Sequence, residues 1–192
     1  MDNSDKIIIS LCAGTRAWER PYIEAGYDVR SITLPEHDVR TYQPPDNVYG
    51  ILAAPPCTMF SFARTRAKTP RNLKEGMIIV EACEQIIREC RYKNKLAFWA
   101  LENPMGYLRQ LKGKPPFTFD PCDFGDWYTK KTDIWGYFNF PKKLKQRAFI
   151  DPKCKTNSRK LPLISEITSS TQAAQRAITP EGFALAFFKA NR

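Results

Sequence analysis

The sequence predicts an α/β protein whose mostly parallel sheet carries helices on both faces. Short apolar runs rich in β-branched residues alternate with helical segments, which is typical of parallel strands joined by helices. The chain has 192 residues, of which 43% are hydrophobic and 12% are aromatic, enough for one folded domain but not for two complete enzyme domains. We therefore expect a single domain spanning residues 1–192.

The predicted strands cover residues 6–11, 27–34, 48–54 and 95–101. The first strand ends in a small-residue turn at residues 12–15, and a helical stretch follows it until Gly26. The third strand runs into the Pro-Pro-Cys sequence of residues 55–57, where two prolines remove ladder donors and turn the chain out of the sheet. The fourth strand is followed by the Glu-Asn-Pro sequence of residues 102–104, which we expect in a turn.

Three of these turns are expected at one edge of the sheet. Residues 12–15, 55–57 and 102–104 each follow a predicted strand. Because the carboxyl ends of parallel strands share one edge, and ligands of α/β proteins bind outside it, we expect the functional site there. Cys57 is then just past the carboxyl end of a strand.

Helices are predicted at residues 73–90 and near the C-terminus. Apolar residues recur every three or four positions in the first, and we assign Cys83 and Cys90 on its apolar side to the core. Beyond Gly113, proline, glycine and aromatic residues predict short strands and loops. For the last helix, Thr179 is the expected N-cap and Pro180 the expected first helical residue.

The formal net charge is +10, and much of the surplus lies in one segment. Residues 141–160 contain eight basic residues and one acidic residue. Such a segment suits a surface that follows nucleic-acid phosphates, and a solvated basic loop is the alternative interpretation. We expect a basic, loop-rich insertion at about residues 139–178.

Composition also argues against several classes of protein. The six cysteines form no CxxC pair and the chain has one histidine, so we expect no metal site. No apolar run approaches the length that spans a bilayer, and the N-terminal residues lack the pattern of a signal peptide. We expect a cytoplasmic protein with reduced thiols and no membrane partner.

Several segments resemble the DNA (cytosine-5)-methyltransferase family, and most closely its compact, phage-type members. Residues 11–29 (LCAGTRAWERPYIEAGYDV) resemble the cofactor loop, residues 54–64 (APPCTMFSFAR) the nucleophile loop, and residues 101–109 (LENPMGYLR) the base-clamping loop. Residues 122–136 and 176–191 are similar to the closing segments of the compact members. The resemblance implies a Rossmann-like sheet of the class I methyltransferase type, S-adenosylmethionine as cofactor and DNA as partner. It also implies a location in the host cytoplasm if a phage encodes the protein.

The resemblance also implies a covalent mechanism. A cysteine thiolate adds to carbon 6 of cytosine, which lets carbon 5 attack an electrophilic methyl group. Cys57 is then the nucleophile, and a protonated Glu102 donates to ring nitrogen 3. The thiolate needs a lowered pKa, for which Arg64, Arg66 and Lys68 are the nearest basic residues in sequence.

Further site residues are carried over from the family pattern. The expected cofactor-binding residues are Leu11, Cys12, Ala13, Gly14, Thr15, Thr33, Glu36, Asp38 and Pro55. The expected substrate-binding residues are Ser61, Arg64, Asn103, Lys130, Lys131, Lys142 and Lys143. Family members usually end the second strand with a carboxylate that holds the ribose hydroxyls, whereas this chain has Thr33 there. Glu36, from the next turn, is the expected substitute.

The expected function is transfer of a methyl or related one-carbon group to carbon 5 of cytosine in DNA. About forty residues between Gly136 and Arg176 are too few for a separate target-recognition domain. Sequence reading is therefore weak, absent or supplied by a protein partner. One alternative is the same chemistry on a free cytosine nucleotide, against which the basic segment argues. Another is a nucleic-acid-binding module without turnover, which Thr33 favours.

Overall fold

The structure is a computed structural model that describes residues 2–62, 64, 67–93, 95–144 and 177–192. These residues form an α/β fold around a six-stranded mixed sheet. The strands are β1 (Ile7–Leu11), β2 (Asp28–Ile32), β3 (Val48–Ala53), β4 (Phe98–Pro104), β5 (Phe117–Phe119) and β6 (Thr132–Tyr137). The helices are α1 (Arg20–Glu24), α2 (Leu73–Lys93), α3 (Leu108–Lys112) and α4 (Glu181–Ala190), with a short 3₁₀ helix at Pro121–Phe124.

The strands follow the order β2-β1-β3-β4-β6-β5 across the sheet. The first four strands of the chain are parallel neighbours, whereas β6 runs antiparallel to both β4 and β5. The ends of β1, β3 and β4 therefore meet at one edge, as predicted, and we call it the carboxyl edge. The strand order reverses beside β1, which pairs with β2 on one side and β3 on the other. The carboxyl end of such a reversal is where open α/β sheets bind their ligands.

The predicted helices on both faces of the sheet are confirmed. Successive strand residues point to opposite faces, so Ile9 packs with the α2 residues Val80 and Cys83, whereas Ile8 packs with Tyr22 of α1 and Phe183 of α4. The side chains that form these two cores are almost fully buried. Cys83 and Cys90 belong to the α2 core, as their spacing predicted.

Aromatic rings hold the C-terminal helix on the sheet. Phe183 of α4 stacks on Phe119 of β5 with ring centroids 3.9 Å apart, and Phe187 contacts Trp18 edge to face at 5.3 Å. The hydroxyl of Tyr22 also donates to the carbonyl oxygen of Asn191 at 3.2 Å. Residues from both ends of the chain therefore complete one core.

Several predicted boundaries differ from the observed ones by one to three residues, and two local predictions are wrong. Glu102, Asn103 and Pro104 are not a turn but the last residues of β4, because β6 continues to pair with them after the pairing with β3 has ended at Leu101. The N-cap of α4 is Pro180 rather than Thr179, because the ψ of 133° at Pro180 is extended and its carbonyl is the first to accept a helical hydrogen bond.

Most of the predicted basic insertion lies outside the described residues. The structure describes residues 139–144 and 177–178 of it, including Lys142 and Lys143. The other six basic residues of the 141–160 segment and Arg176 lie outside the described ranges.

Candidate active site

Cys57 lies in a closed turn just beyond β3, as predicted. The backbone N–H groups of Phe60 and Ser61 both donate to its carbonyl oxygen at 2.9 Å, and its side chain is half-buried. We refer to residues 57–61 as the Cys57 turn. The two prolines before it end the pairing of β3, and these hydrogen bonds then bring the chain back toward the sheet.

Asn103 joins the end of β4 to the chain just before the Cys57 turn. Its Nδ2 donates to the carbonyl oxygen of Pro55 at 3.0 Å, and the asparagine is fully buried. Glu102 precedes Asn103, and Cys57 follows Pro55 by two residues. The two sequences that the family resemblance selects are thus connected by a direct hydrogen bond at the carboxyl edge.

A second connection links the Cys57 turn to the residues after β4. Tyr107 N–H donates to the carbonyl oxygen of Phe60 at 2.9 Å, and Ser61 forms an isolated antiparallel bridge with Gly106. A Cβ atom at Gly106 would lie 2.3 Å from the Phe60 carbonyl oxygen. The two backbones approach so closely that the position requires glycine.

Arg71 binds the Cys57 turn from the segment before α2. Its Nη1 and Nη2 donate to the carbonyl oxygens of Met59 at 2.5 Å and Ser61 at 3.0 Å, and its guanidinium lies 4.6 Å from the centroid of the Tyr107 ring. Sequence reasoning missed Arg71, because nothing in the sequence distinguishes it from the other basic residues of this loop.

The basic residues proposed to lower the thiol pKa are placed differently. Arg64 Nη2 donates to Thr69 Oγ1 at 2.6 Å, so this guanidinium interacts within its own loop. Lys68 is exposed, and Arg66 lies outside the described residues. Among the described basic residues near Cys57, Arg71 is thus the one that the structure shows bound to its turn.

Glu102 has the electrostatic environment of a proton donor. Burial raises the pKa of its carboxyl group, the nearby charge of Lys130 lowers that pKa, and the charge of Asp133 raises it. Burial is the largest of the three influences, so the carboxyl holds its proton to higher pH than an exposed glutamate does. Lys130 and Glu102 are near enough to interact. The Lys131 side chain is exposed, and the backbone carbonyl oxygen of Lys131 accepts a hydrogen bond from the N–H of Met105 at 2.8 Å.

A buried ion pair supports the end of β4 from the neighbouring strand. Asp133 of β6 lies opposite Asn103 and is fully buried. Arg109 contacts both of its carboxylate oxygens, at 2.5 Å through Nε and 2.6 Å through Nη2, and Thr118 Oγ1 donates to it at 2.9 Å. The fork of the guanidinium matches the carboxylate and holds α3, β5 and β6 together behind the site.

The expected cofactor turn lies over the ends of the first three strands. Cys12, Gly14 and Arg16 all have positive φ, of 56°, 55° and 62°. Cys12 N–H donates to the Ile32 carbonyl at 2.8 Å, which holds the turn on β2. Gly14 and Thr15 are exposed and Ala13 is partly exposed, so they are accessible to a ligand, whereas the Leu11 side chain is fully buried.

Cys12 turns its side chain toward the α2 core. Its Sγ lies 4.0 Å from the Sγ of Cys83, and this hydrogen bond lowers the pKa of Cys12 while it raises that of Cys83. The thiol of Cys12 is therefore engaged with the core, and a ligand at this turn meets its backbone.

The expected ribose-binding residues are only partly suited to that role. Thr33 follows β2 directly, and Glu36 is exposed in the next turn. Arg40 contacts both carboxylate oxygens of Asp38, at 3.0 Å and 2.5 Å, and its hydrogen bonds lower the pKa of Asp38 to about 2. The Asp38 carboxylate is thus paired with Arg40. Glu36 is the exposed carboxylate of this turn.

Glu19 is a buried acid that sequence reasoning missed. It is fully buried beside β2, where its Oε1 accepts from Ser31 Oγ at 2.5 Å and from Arg16 Nε at 2.5 Å. Its Oε2 has no hydrogen-bond partner among the described residues. It lies within the polar sequence RAWER, which carries no periodic signal of burial.

The two described lysines of the basic segment differ in their surroundings. Lys142 is exposed. Lys143 Nζ donates to Asp123 Oδ2 and to the Thr118 carbonyl oxygen, each at 2.8 Å, and lies 5.2 Å from the centroid of the Phe117 ring. Lys143 therefore connects the segment to β5, in addition to any contact with substrate.

Two comparisons with known proteins identify no relative of this chain. No protein-family model matches the chain, and a search of curated proteins finds none with significant similarity.

Within the described ranges, histidine, cysteine, aspartate and glutamate side chains form no group of three or more that would hold a metal ion. None of the described helices combines the length and the hydropathy needed to cross a membrane.

Proposed function

We propose that this protein transfers a methyl or related one-carbon group from S-adenosylmethionine to carbon 5 of cytosine in DNA, as a compact, phage-type member of the DNA (cytosine-5)-methyltransferase family. One observation carries the proposal: the hydrogen bond from Asn103 to the Pro55 carbonyl joins the Glu102 and Cys57 sequences at the carboxyl edge. Neither Pro-Pro-Cys nor Glu-Asn-Pro is specific by itself. Their direct connection is what a two-residue mechanism on one base requires.

The fold class that we propose is the Rossmann-like, class I methyltransferase type without a separate target-recognition domain. The reversal of strand order between β1 and β3 supports it, because the turns after those two strands then border the usual ligand crevice of such sheets. The exposed Gly14 is part of that border, and the nearest heavy atom to a Cβ built there would be 3.8 Å away. A ligand is therefore able to approach this backbone closely.

S-adenosylmethionine supplies the electrophilic methyl group when it is bound. Residues 13–15 and the segment around Thr33 and Glu36 would hold it, because these are the accessible parts of the turns after β1 and β2. Asp38 fits this role less well than the family pattern implies, because Arg40 already occupies both of its carboxylate oxygens.

The chain's own residues then perform the steps on cytosine. The Cys57 thiolate forms a bond to carbon 6, and Glu102 delivers a proton to ring nitrogen 3, so the electron pair of the 5,6 double bond becomes available at carbon 5. Carbon 5 would use this pair to bond the methyl group, and the bond between that methyl group and the sulfonium sulfur would break. Solvent water or hydroxide then takes the proton from carbon 5, which restores the 5,6 double bond and expels the Cys57 thiolate. Nitrogen 3 returns its proton to Glu102.

One observation favours a second candidate function, a nucleic-acid-binding module without turnover. The Asp38 carboxylate is paired with Arg40, and Thr33 supplies no carboxylate at the end of β2. A chain of this kind would retain the sheet and the basic segment but would bind the cofactor poorly.

The test combines a transfer assay with a trap for the covalent adduct. The purified full chain is incubated with methyl-labelled S-adenosylmethionine and single-stranded DNA, duplex DNA or dCMP, and cytosine is examined by mass spectrometry. DNA containing 5-fluorocytosine should form an adduct that cannot expel the thiolate, and peptide mapping should locate it at Cys57. Absence of label on all three substrates would favour the binding module, and label on dCMP alone would favour the free-nucleotide enzyme.

A further inference from the structure

Two aromatic rings form a contact beside the Cys57 turn that the mechanism does not use. Phe62 directly follows the turn, and its ring meets that of Tyr107 edge to face, with centroids 5.1 Å apart and planes at 72°. Phe62 is nevertheless 51% exposed, whereas Tyr107 is partly buried. A large apolar ring therefore faces solvent next to the proposed nucleophile.

The position of Phe62 is supported by the contacts of its neighbours. Tyr107 is bound through its N–H to the Phe60 carbonyl, and the guanidinium of Arg71 lies over its ring at 4.6 Å. Arg71 also donates to the Ser61 carbonyl, so the residue before Phe62 is fixed as well. Phe62 thus follows a hydrogen-bonded turn and packs on a bound partner ring, which reduces the conformational entropy that binding would cost.

Other exposed aromatic residues show what is particular about Phe62. Tyr92 is 94% exposed in the last turn of α2, and Tyr137 is 70% exposed at the end of β6. Tyr137 pairs with Trp99 near the start of β4, so it lies at the edge opposite to Cys57. Phe62 combines comparable exposure with a position next to the Cys57 turn.

We propose that Phe62, held against Tyr107, stacks on the nucleobase next to the target cytosine, and that the DNA substrate is single-stranded. Aromatic side chains bind single strands by stacking on bases, and this contact tolerates any sequence because every base has a flat face. In an intact duplex both faces of a flanking base are covered by neighbouring bases, and uncovering one costs the extrusion of the target base. An unpaired strand offers these faces without that cost, so an exposed ring binds it more readily. The identity of the target base rests on the proposed function, whereas the stacking contact does not.

Binding measurements test the proposal independently of turnover. A fluorescently labelled cytosine-containing oligonucleotide and its duplex are titrated by anisotropy at one fixed salt concentration against the full-chain wild type and its variants. Phe62→Ala should weaken single-strand binding about 5- to 150-fold, the loss typical of one base–aromatic stack. Duplex binding should change less than twofold. Tyr92→Ala, the matched control, should leave both affinities unchanged.

Two further variants separate stacking from packing. Phe62→Trp keeps a flat ring and should retain single-strand affinity, whereas Phe62→Leu keeps an apolar contact with Tyr107 and should weaken binding as alanine does. Wild-type single-strand affinity in Phe62→Ala or Phe62→Leu, or an equal loss on single strand and duplex, would overturn the proposal. If the stacking pattern holds while no cytosine is methylated, the proposed function fails and this inference stands.

Discussion

The Nδ2 atom of Asn103 lies 3.0 Å from the carbonyl oxygen of Pro55, and both groups come from segments that end at the carboxyl edge. Asn103 is fully buried, so water cannot take the place of either group if this hydrogen bond is broken. The hydrogen bond therefore fixes the spacing between the strand that carries Glu102 and the loop that carries Cys57.

Asn103→Ala should lower the free energy of unfolding by about 1–3 kcal/mol, because it leaves the buried Pro55 carbonyl without its donor. It should also slow methyl transfer, on the order of 100-fold, because small displacements of reacting groups are costly. Urea unfolding and a single-turnover transfer assay measure the two effects. Asn139→Ala is the matched control, since Asn139 also donates to a backbone carbonyl, that of Ala190, but in an exposed position on another part of the fold. Wild-type transfer by a destabilised Asn103→Ala would show that the bond is only structural.

Cys57→Ala should abolish transfer and leave the fold intact, because the side chain is half-buried in a loop and its turn is held by backbone hydrogen bonds. Circular dichroism and Tm report the fold, and incorporation of label reports transfer. More than about a tenth of wild-type turnover, a loss of less than about 1.4 kcal/mol in barrier, would exclude Cys57 as the nucleophile. Cys90→Ala should behave in the opposite way, lowering Tm through a cavity in the α2 core while it keeps turnover.

The parts of this fold that sequence reasoning predicted depend on local patterns. The period of α2 and the apolar runs of β1 and β3 are visible within ten to twenty residues, so their positions, and the meeting of their ends at one edge, followed from general rules. The length of β4 did not, because its last three residues pair only with β6, about thirty residues further along the chain. A turn signal such as Glu-Asn-Pro cannot reveal a partner strand of that kind.

The candidate site likewise contains some residues that sequence motifs predict and others that they do not. Cys57 and Glu102 were selected by short motifs, and the structure places both at the carboxyl edge. Arg71, Glu19 and Asp133 each have a partner 10 to 24 residues away in sequence, and this pairing became visible only in three dimensions. Such residues are common in polar stretches, where sequence alone does not distinguish a buried ion pair from a solvated charge.

Glu102→Gln should reduce the rate of transfer about 100- to 10,000-fold and leave DNA affinity nearly unchanged, because an amide keeps the shape of the carboxyl group but cannot give up its proton. The wild-type rate should also fall as pH rises through the raised pKa of Glu102, since the donor is then ionised. A pH–rate profile for kcat and a binding titration measure both. Lost affinity with unchanged kcat would make Glu102 a docking residue.

The same substitution has a consequence for stability. A carboxyl group whose pKa is raised in the folded protein stabilises the fold most at low pH, and this contribution is lost as pH rises through the folded pKa. Glu102→Gln carries no such group. The free energy of unfolding of Glu102→Gln, minus that of the wild type, should therefore increase as pH rises from acidic to neutral. A constant difference across that range would show that burial does not raise the pKa of the Glu102 carboxyl group.

Arg109→Met should destabilise the fold by about 3 kcal/mol, because it leaves the fully buried Asp133 carboxylate without its cation. Urea denaturation at neutral pH measures the loss. Arg40→Met is the matched control, since Arg40 makes a similar two-oxygen contact with Asp38 on an exposed turn and should have little effect. Equal losses in the two variants would mean that burial of Asp133 does not determine the strength of its ion pair.

Neutralising Lys142, Lys143, Lys145 and Arg147 together should weaken DNA binding uniformly across sequences and flatten its salt dependence. Each lost phosphate contact should reduce the slope of log affinity against log salt by about 0.7 on a single strand or about 0.9 on a duplex. Lys143→Met alone is the necessary companion, because the loss of its ion pair with Asp123 should lower Tm whether or not it contacts phosphate. A reduced slope in the fourfold variant beyond that of Lys143→Met assigns phosphate contacts to the other three residues. An unchanged slope would instead mean that the segment is a solvated basic loop, and it would place the free nucleotide ahead of DNA as the substrate, because a mononucleotide needs only a few cations.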